Sequence, residues 1–326
     1  MKKIIAIIEG GYSHEKIISL QSAETVFQHI DTSKYFPVKV RIDEEGWFAF
    51  FEGNRHVIDR SDFSFNGEEG DMKFDFAFIV IHGTPGEDGK LQAYFDMLNI
   101  PYSTSNHLTS TLTFNKFICN QYLKTFGIKV AEAVLVKKND KVNSSNIVAK
   151  VGLPCFVKPA DGGSSFGISK VKEEAELAQA VQKAMEHGSQ VIIESFMGGR
   201  EVTNGIYRAK EGIKVLPITE IVTRNEFFDF EAKYKGESDE ITPADLTKEM
   251  EVNVKEVTRK IYDVLGLDGI CRADYIIQNG EPYLIEINTV PGQSAASLIP
   301  QMAVCDGIPL DQLYNEVIEV AMSRHL

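Results

Sequence analysis

Two short stretches of the chain combine residues that can do chemistry. In CRADYIIQNGEPYLIEIN (271–288), Arg272 and Asp274 stand two residues apart, and so do Glu286 and Asn288. Residues two apart on a β-strand share a face. The turn QNGEP between the two runs predicts a hairpin, which aligns both polar faces across neighbouring strands, with Ile285 and Ile287 on the opposite side. Oxygens of Asp, Glu and Asn gathered in this way suit a hard cation of the kind that accompanies nucleotide phosphates. A solvated sheet face with a surface Arg–Asp pair is the plainer alternative.

The second stretch is FVKPADGGSSFGIS (156–169), where Lys158 closes an apolar run and precedes a loop of small residues. Gly162, Gly163 and Gly167 let backbone N–H groups approach a polyanion, and Ser164 and Ser165 add hydroxyl donors. No GK[ST] occurs and no GxGxxG follows the first apolar run, which excludes a Walker loop and a dinucleotide fingerprint. A glycine-rich loop by itself is more often a hairpin turn. Further on, NTVPGQSAASLIP (288–300) reads as a Pro-Gly turn, small residues and a helix start, whose free N–H groups suit a carboxylate; Ser297 lies within it.

These residues need elements to hold them. Residues 3–8 read as a buried strand, followed by a Gly10-Gly11 turn and a helix over 15–30. Strands at 38–42 and 47–51, the apolar run 76–83 that delivers His82, and a helix over 86–99 complete a doubly wound α/β module. A helix is expected over 109–126, then strands at 131–136, 153–159 and 167–171, a helix over 173–186 and a strand at 190–196. Strands near 201–207, 213–221, 269–277 and 282–287 follow, with a polar stretch at 223–246 too long for a simple connector. The resulting division is 1–102, 103–190 and 191–326.

With 326 residues, several modules around one cleft are expected. A net charge of −13 argues against a general nucleic-acid binder. Cys119, Cys155, Cys271 and Cys305 form no CxxC pair, which points to reduced thiols in the cytosol rather than a zinc or disulfide framework. No stretch approaches the roughly 20 apolar residues that span a bilayer, and the run before Glu9 is too short for a signal peptide, so a soluble protein is expected. His14, His29, His56, His107, His187 and His325 show no metal-ligand spacing, and Trp47 reads as hairpin packing.

Taken in order, GGYSHEKIISLQS (10–22), HGTPGEDG (82–89), KPADGGSSFGIS (158–169), EAKY (231–234), CRADY (271–275) and EINTVPG (286–292) resemble the motifs of D-alanine–D-alanine ligases of the ATP-grasp superfamily. The resemblance covers essentially the whole chain. It implies an α/β ATP-grasp fold: an N-terminal Rossmann-like parallel domain that binds substrate (1–102), plus central (103–190) and C-terminal (191–326) α+β subdomains that clamp ATP between antiparallel sheets. The activity it implies is ligation of two D-alanines through a D-alanyl phosphate, releasing ADP and phosphate, for peptidoglycan precursors. Two Mg²⁺ ions, replaceable by Mn²⁺, a cytoplasmic location and a homodimer that binds neither nucleic acid nor membrane are implied as well.

Residue by residue, the resemblance gives Lys116, Lys158, Ser165, Glu201 and Lys233 to the nucleotide, and Glu194, Ser195, Phe196 and Met197 to its adenine and ribose. Asp274, Glu286 and Asn288 match the metal ligands. Glu15, with Ser164 and Tyr234, matches the network on the first D-alanine, while Arg272 and Gly292 match the oxyanion groups. Ser297 and Leu298 match the second D-alanine's carboxylate site, near His82. The stretch 223–246 is the expected lid, and Tyr234 in EAKY favours a dipeptide over a depsipeptide. The chain departs from the family pattern at Ile17, where an acidic residue is usual, at Asn115, usually aspartate, and at Gln293-Ser294, usually a larger apolar residue and threonine. Two alternatives stay open: a ligase with another acceptor such as D-lactate, and a non-catalytic nucleotide-binding protein.

Overall fold

The computed structural model describes residues 2–67, 70–162, 167–223 and 238–324, so Ser164, Ser165, Lys233 and Tyr234 lie outside the described residues. The first sheet is built from β1 (Lys3–Gly10), β2 (Tyr35–Asp43), β3 (Gly46–Phe51), β4 (Asn54–Asp59), β5 (Ser64–Gly67), β6 (Gly70–Lys73) and β7 (Phe76–Ile79) in the order 6-5-4-3-2-1-7. Only β1, β2 and β7 are parallel; β3 to β6 extend the sheet as an antiparallel meander. Helix α1 (Lys16–His29) makes the crossover from β1 to β2, and α2 (Lys90–Leu98) follows β7. From Ile5 onward the apolar run KIIAIIEG is buried, because β1 lies between β2 and β7 and is covered on both faces. Gly10 ends that strand at φ +105, where any Cβ would lie 2.5 Å from the Ile42 carbonyl oxygen, so the turn into α1 requires glycine.

Helices α3 (His107–Phe114) and α4 (Lys116–Lys124) occupy the region expected to be one helix over 109–126. The break has a local cause. Asn115 adopts an extended backbone (φ −92, ψ 102), and its side chain caps α4 by accepting from the Ile118 N–H at 3.0 Å. An aspartate would cap in the same way, so this departure keeps its function.

The second sheet, order β10-β9-β11-β8, comprises β8 (Ala133–Lys137), β9 (Cys155–Pro159), β10 (Ser169–Val171) and β11 (Gln190–Ser195). It therefore runs on past residue 190. Helices α5 (Ser144–Val151) and α6 (Leu177–Met185) cover one face, burying Cys155, Val157, Val191 and Ile193. Alternation then turns Phe156, Lys158 and Glu194 to the other face, toward the cleft.

The third sheet, order β14-β13-β12-β15-β16, comprises β12 (Arg200–Ala209), β13 (Gly212–Thr223), β14 (Ser238–Ile241), β15 (Ile270–Gln278) and β16 (Glu281–Asn288). One face is packed by α7 (Lys248–Leu265) through Val254, Ile261, Tyr262 and Leu265. Tyr275 is fully buried there and hydrogen-bonds Thr258 at 2.9 Å, which spares its hydroxyl a desolvation penalty. Helices α8 (Leu298–Cys305) and α9 (Leu310–Arg324) sit between the third and first sheets in a shared core with Ile5, Phe78, Tyr207 and Leu216. The second and third sheets face each other across an open cleft.

Candidate active site

A cavity of about 510 Å³ fills that cleft, a size suited to a nucleotide. From the second sheet come Phe156, Lys158, Glu194 and the segment Ser195 to Met197; from the third come Glu201, Thr203, Arg272, Asp274 and Glu286; Lys116 and Leu298 complete the wall. The hairpin read from the sequence is present, with Asp274 opposite Glu286 and Arg272 opposite Asn288. Alternation explains the face: Cys271, Ala273 and Tyr275 enter the core with α7, leaving Arg272 and Asp274 to the cleft.

One expectation fails on β16. Ile285 was expected to face away from Glu286, yet both line the cavity, because the register slips between Asp274 and Tyr275 and leaves Ile285 as an extra residue. Such a bulge interrupts the two-residue alternation.

Asp274, Glu286 and Glu194 of the cleft each meet a basic group. Arg272 grips Asp274 through Nε and Nη2, both at 2.8 Å, and Thr203 donates to the same carboxylate at 2.5 Å. Lys116 Nζ reaches Glu286 at 2.9 Å and the Gly162 carbonyl at 2.6 Å, while Lys158 pairs with Glu194 at 2.7 Å. Burial pushes the Glu286 carboxyl up, but Lys116, Lys158 and Arg272 outweigh it and hold the group well below its usual range. Lys116 is raised: burial works against its charge, and Glu286, Glu87 and Glu194 more than offset that. The break at Asn115 makes this possible, since it puts Lys116 first in α4, with its N–H on the Ala160 carbonyl at 2.8 Å.

Glu201 differs. Burial first, then the charges of Asp274 and Glu286, push its carboxyl up to about 7. Between pH 4.5 and 7 the folded protein thus keeps a proton that the unfolded chain releases, so stability falls as pH rises through that window. Glu201→Gln is expected to raise the stability of the ligand-free protein by roughly 1–3 kcal/mol at pH 8 and hardly at all at pH 4. Thermal melts at the two pH values check this; equal shifts would contradict it.

A second group of predicted residues gathers beside the cavity rather than in its wall. Glu15 immediately precedes α1, and its N–H meets Ser13 Oγ at 3.2 Å, which in turn donates to the His82 carbonyl at 2.8 Å. His82 is buried, with Nδ1 on the Val290 carbonyl at 2.8 Å; a carbonyl only accepts, so that nitrogen carries the proton. Asn288 accepts from the Val290 N–H at 3.2 Å. Ser297 stands at the start of α8 and shares a hydrogen bond with Ser294 at 2.8 Å. A Cβ on Gly292 would lie 2.7 Å from Ser297 Oγ, so the turn packs closely onto the serine and a larger residue would push that hydroxyl aside. Of the positions that depart from the family pattern, Ile17 is exposed, while Gln293 is buried and ties α1 to the turn through its N–H on Ser22 Oγ at 3.0 Å.

Sequence reading missed Glu87. It accepts from the Gly83 N–H at 2.6 Å, and burial, followed by the charge of Glu15, raises it to about 7. That is the range in which a carboxyl exchanges protons at neutral pH. Its signal was its place in HGTPGEDG. Thr203 was legible too, two residues from Glu201 on one strand face.

The oxygen set of Asp274, Glu286 and Asn288 fits a hard cation, and without one its two carboxylates are neutralised by Arg272 and Lys116. Among the described residues no three His, Cys, Asp or Glu side chains converge on a point where a metal could sit. A metal here would rest on two carboxylates, the amide oxygen and phosphate oxygens of a nucleotide.

Residues 4–105 match the model of the D-ala D-ala ligase N-terminus, and residues 122–319 match that of the D-ala D-ala ligase C-terminus. The chain is 48% identical over 322 residues to a D-alanine–D-alanine ligase of Bacteroides fragilis, covering 98% of this chain and 99% of the relative. It is 49% identical over 323 residues to one of Phocaeicola vulgatus, with 98% and 99% coverage. Among solved structures, a D-Ala:D-Ser ligase from Enterococcus faecalis superposes with a TM-score of 0.90 at 32% identity, covering 98% of this chain and all of that one. A D-alanine–D-alanine ligase from Bacillus anthracis complexed with ATP gives 0.80 at 29% identity, with 99% and 98% coverage.

Proposed function

Because the chain belongs to the D-alanine–D-alanine ligase family and joins two D-alanines at the expense of ATP for peptidoglycan synthesis, we propose how its own residues carry the reaction. The observation that carries the reading is the cleft itself, with Lys116, Lys158 and Arg272 set among Asp274, Glu286 and Glu194 between two antiparallel sheets.

The adenine and ribose lie against the segment Glu194 to Met197, with Phe156 beside it, and Glu201 belongs to the nucleotide site. Lys116 and Lys158 face the phosphates. Asp274, Glu286 and Asn288 would hold Mg²⁺, for which Mn²⁺ could substitute, and the cation would supply neutralisation of phosphate charge. With a cation on the carboxylates, Lys116 and Arg272 would be free to face the reacting groups. The carboxylate of the first D-alanine, its ammonium held by Glu15, attacks the γ-phosphorus of ATP, and ADP leaves. The amine of the second D-alanine, its carboxylate held at Ser297 and Leu298, then attacks the acyl phosphate and expels phosphate. Arg272 and the Gly292 N–H stabilise the oxyanion in between. Ser164, Ser165, Lys233 and Tyr234 belong to this assignment through the sequence resemblance alone. The reading includes three units divided near 102 and 190, a cytoplasmic location and a homodimer; among the described residues no helix is long and apolar enough to cross a membrane.

Phosphate release from ATP is expected with D-alanine alone, and not with L-alanine. D-lactate or D-serine offered beside D-alanine should leave the dipeptide as main product by mass spectrometry. Release that requires D-lactate or D-serine would replace the dipeptide reading with another acceptor.

A further inference from the structure

The slip in the β15–β16 ladder leaves Ile285 without a partner on β15. A bulge re-aims the side chains beside it, and here it turns Glu286 into the cleft next to Ile285. The Ile285 carbonyl accepts from Asn120 Nδ2 of α4 at 3.1 Å. Asn120 is 1% exposed, and because a carbonyl only accepts, the orientation of its amide follows. Its Oδ1 has no hydrogen-bond partner among the described residues. A half-satisfied buried amide is less stabilising than an apolar side chain of similar size, so packing does not account for it.

Asn120 lies four residues after Lys116, on the same face of α4. Lys116 holds the Glu286 carboxylate at 2.9 Å. One helix face thus grips consecutive positions of β16, by the main chain at 285 and by the side chain at 286.

We propose that Asn120 is a positioning residue: it pins the β16 bulge and so aims the Glu286 carboxylate at the divalent cation. This rests on the reading of Glu286 as a metal ligand. Groups that orient a metal-binding carboxylate typically change metal affinity 10–100-fold when lost.

The test is Mn²⁺ binding to the full chain in the presence of ADP, followed by electron paramagnetic resonance. Asn120→Leu, nearly isosteric but without the donor, is expected to raise the Mn²⁺ dissociation constant at least about tenfold. The KM for D-alanine at saturating Mg²⁺ should stay within about twofold, since neither amino-acid subsite is touched. Asn120→Ser, whose hydroxyl is too short to reach Ile285, should do the same and serves if the leucine variant does not fold. Glu286→Gln is measured alongside. If it weakens Mn²⁺ binding while a folded Asn120 variant does not, the positioning role is overturned and the metal reading stands. If Glu286→Gln leaves Mn²⁺ binding unchanged, the metal reading falls and takes the proposal with it. Failure of both Asn120 variants to fold would assign the residue to the fold alone and overturn the proposal.

Discussion

Glu286→Gln is expected to lower ATP-dependent dipeptide formation by roughly 10³-fold or more while the protein stays folded. The change keeps the shape of the side chain and removes one negative charge. In the ligand-free protein that charge balances Lys116 at 2.9 Å, but Lys116 also holds the Gly162 carbonyl at 2.6 Å and feels Glu87 and Glu194. The melting temperature should therefore fall by only a few degrees. Catalysis has no such reserve. Phosphoryl transfer between a carboxylate and a triphosphate brings anions together, and barrier lowering comes almost wholly from positioned positive charge. Without Glu286 a cation held as proposed would lose one of two anionic anchors. Phosphate release at ordinary Mg²⁺, with far-ultraviolet circular dichroism to confirm folding, decides the matter; near-normal turnover would remove Glu286 from the ligand set.

The second large effect is expected at Arg272, where stability and activity respond in different ways to ligand. The guanidinium and the Asp274 carboxylate form a two-pronged pair whose side chains are only 12% and 15% exposed. Arg272→Met keeps most of the stem and leaves Asp274 without its counter-charge. Breaking such a pair from one side costs about 3–5 kcal/mol. Saturating Mg²⁺ and ADP should restore part of that stability, since in the proposed complex the cation would face Asp274. Activity should not recover and should stay down by roughly 10²–10³-fold, because the oxyanion loses its fork of donors. Thermal melts with and without Mg²⁺ and ADP test the first half. An equal loss in both conditions would mean that Asp274 meets no cation in the complex.

Much of this site was legible because strand alternation is a strict rule. Arg272 and Asp274 face the cleft, with Glu286 across from Asp274, because the neighbours Cys271, Ala273 and Tyr275 are apolar or aromatic and go to the core. What alternation cannot show is its own interruption. Nothing in YLIEIN marks the extra residue at Ile285, which arises from how β16 meets β15 and α4. The continuous helical pattern over 109–126 hid the break at Asn115 likewise, although a mid-pattern asparagine is a common capping residue. Residues 54–73 carry too few apolar positions to announce the meander that widens the first sheet. Helices α5, α7 and α9 went unread, and α9 owes its position to a partner surface some 230 residues earlier in the chain, at Phe78.

That distance sets the order of events during synthesis. Tyr314 of α9 is fully buried and packs on Phe78 at 5.7 Å and His29 at 6.4 Å, so a helix made late roofs a sheet made much earlier. Until α8 and α9 are made, Ile5, Ile7, Phe78 and Val80 have α1 but only part of their cover, and the growing chain leaves the ribosome with some of that apolar surface bare. A chain truncated before Leu310 would therefore be not a smaller working domain but a client for chaperones and proteases.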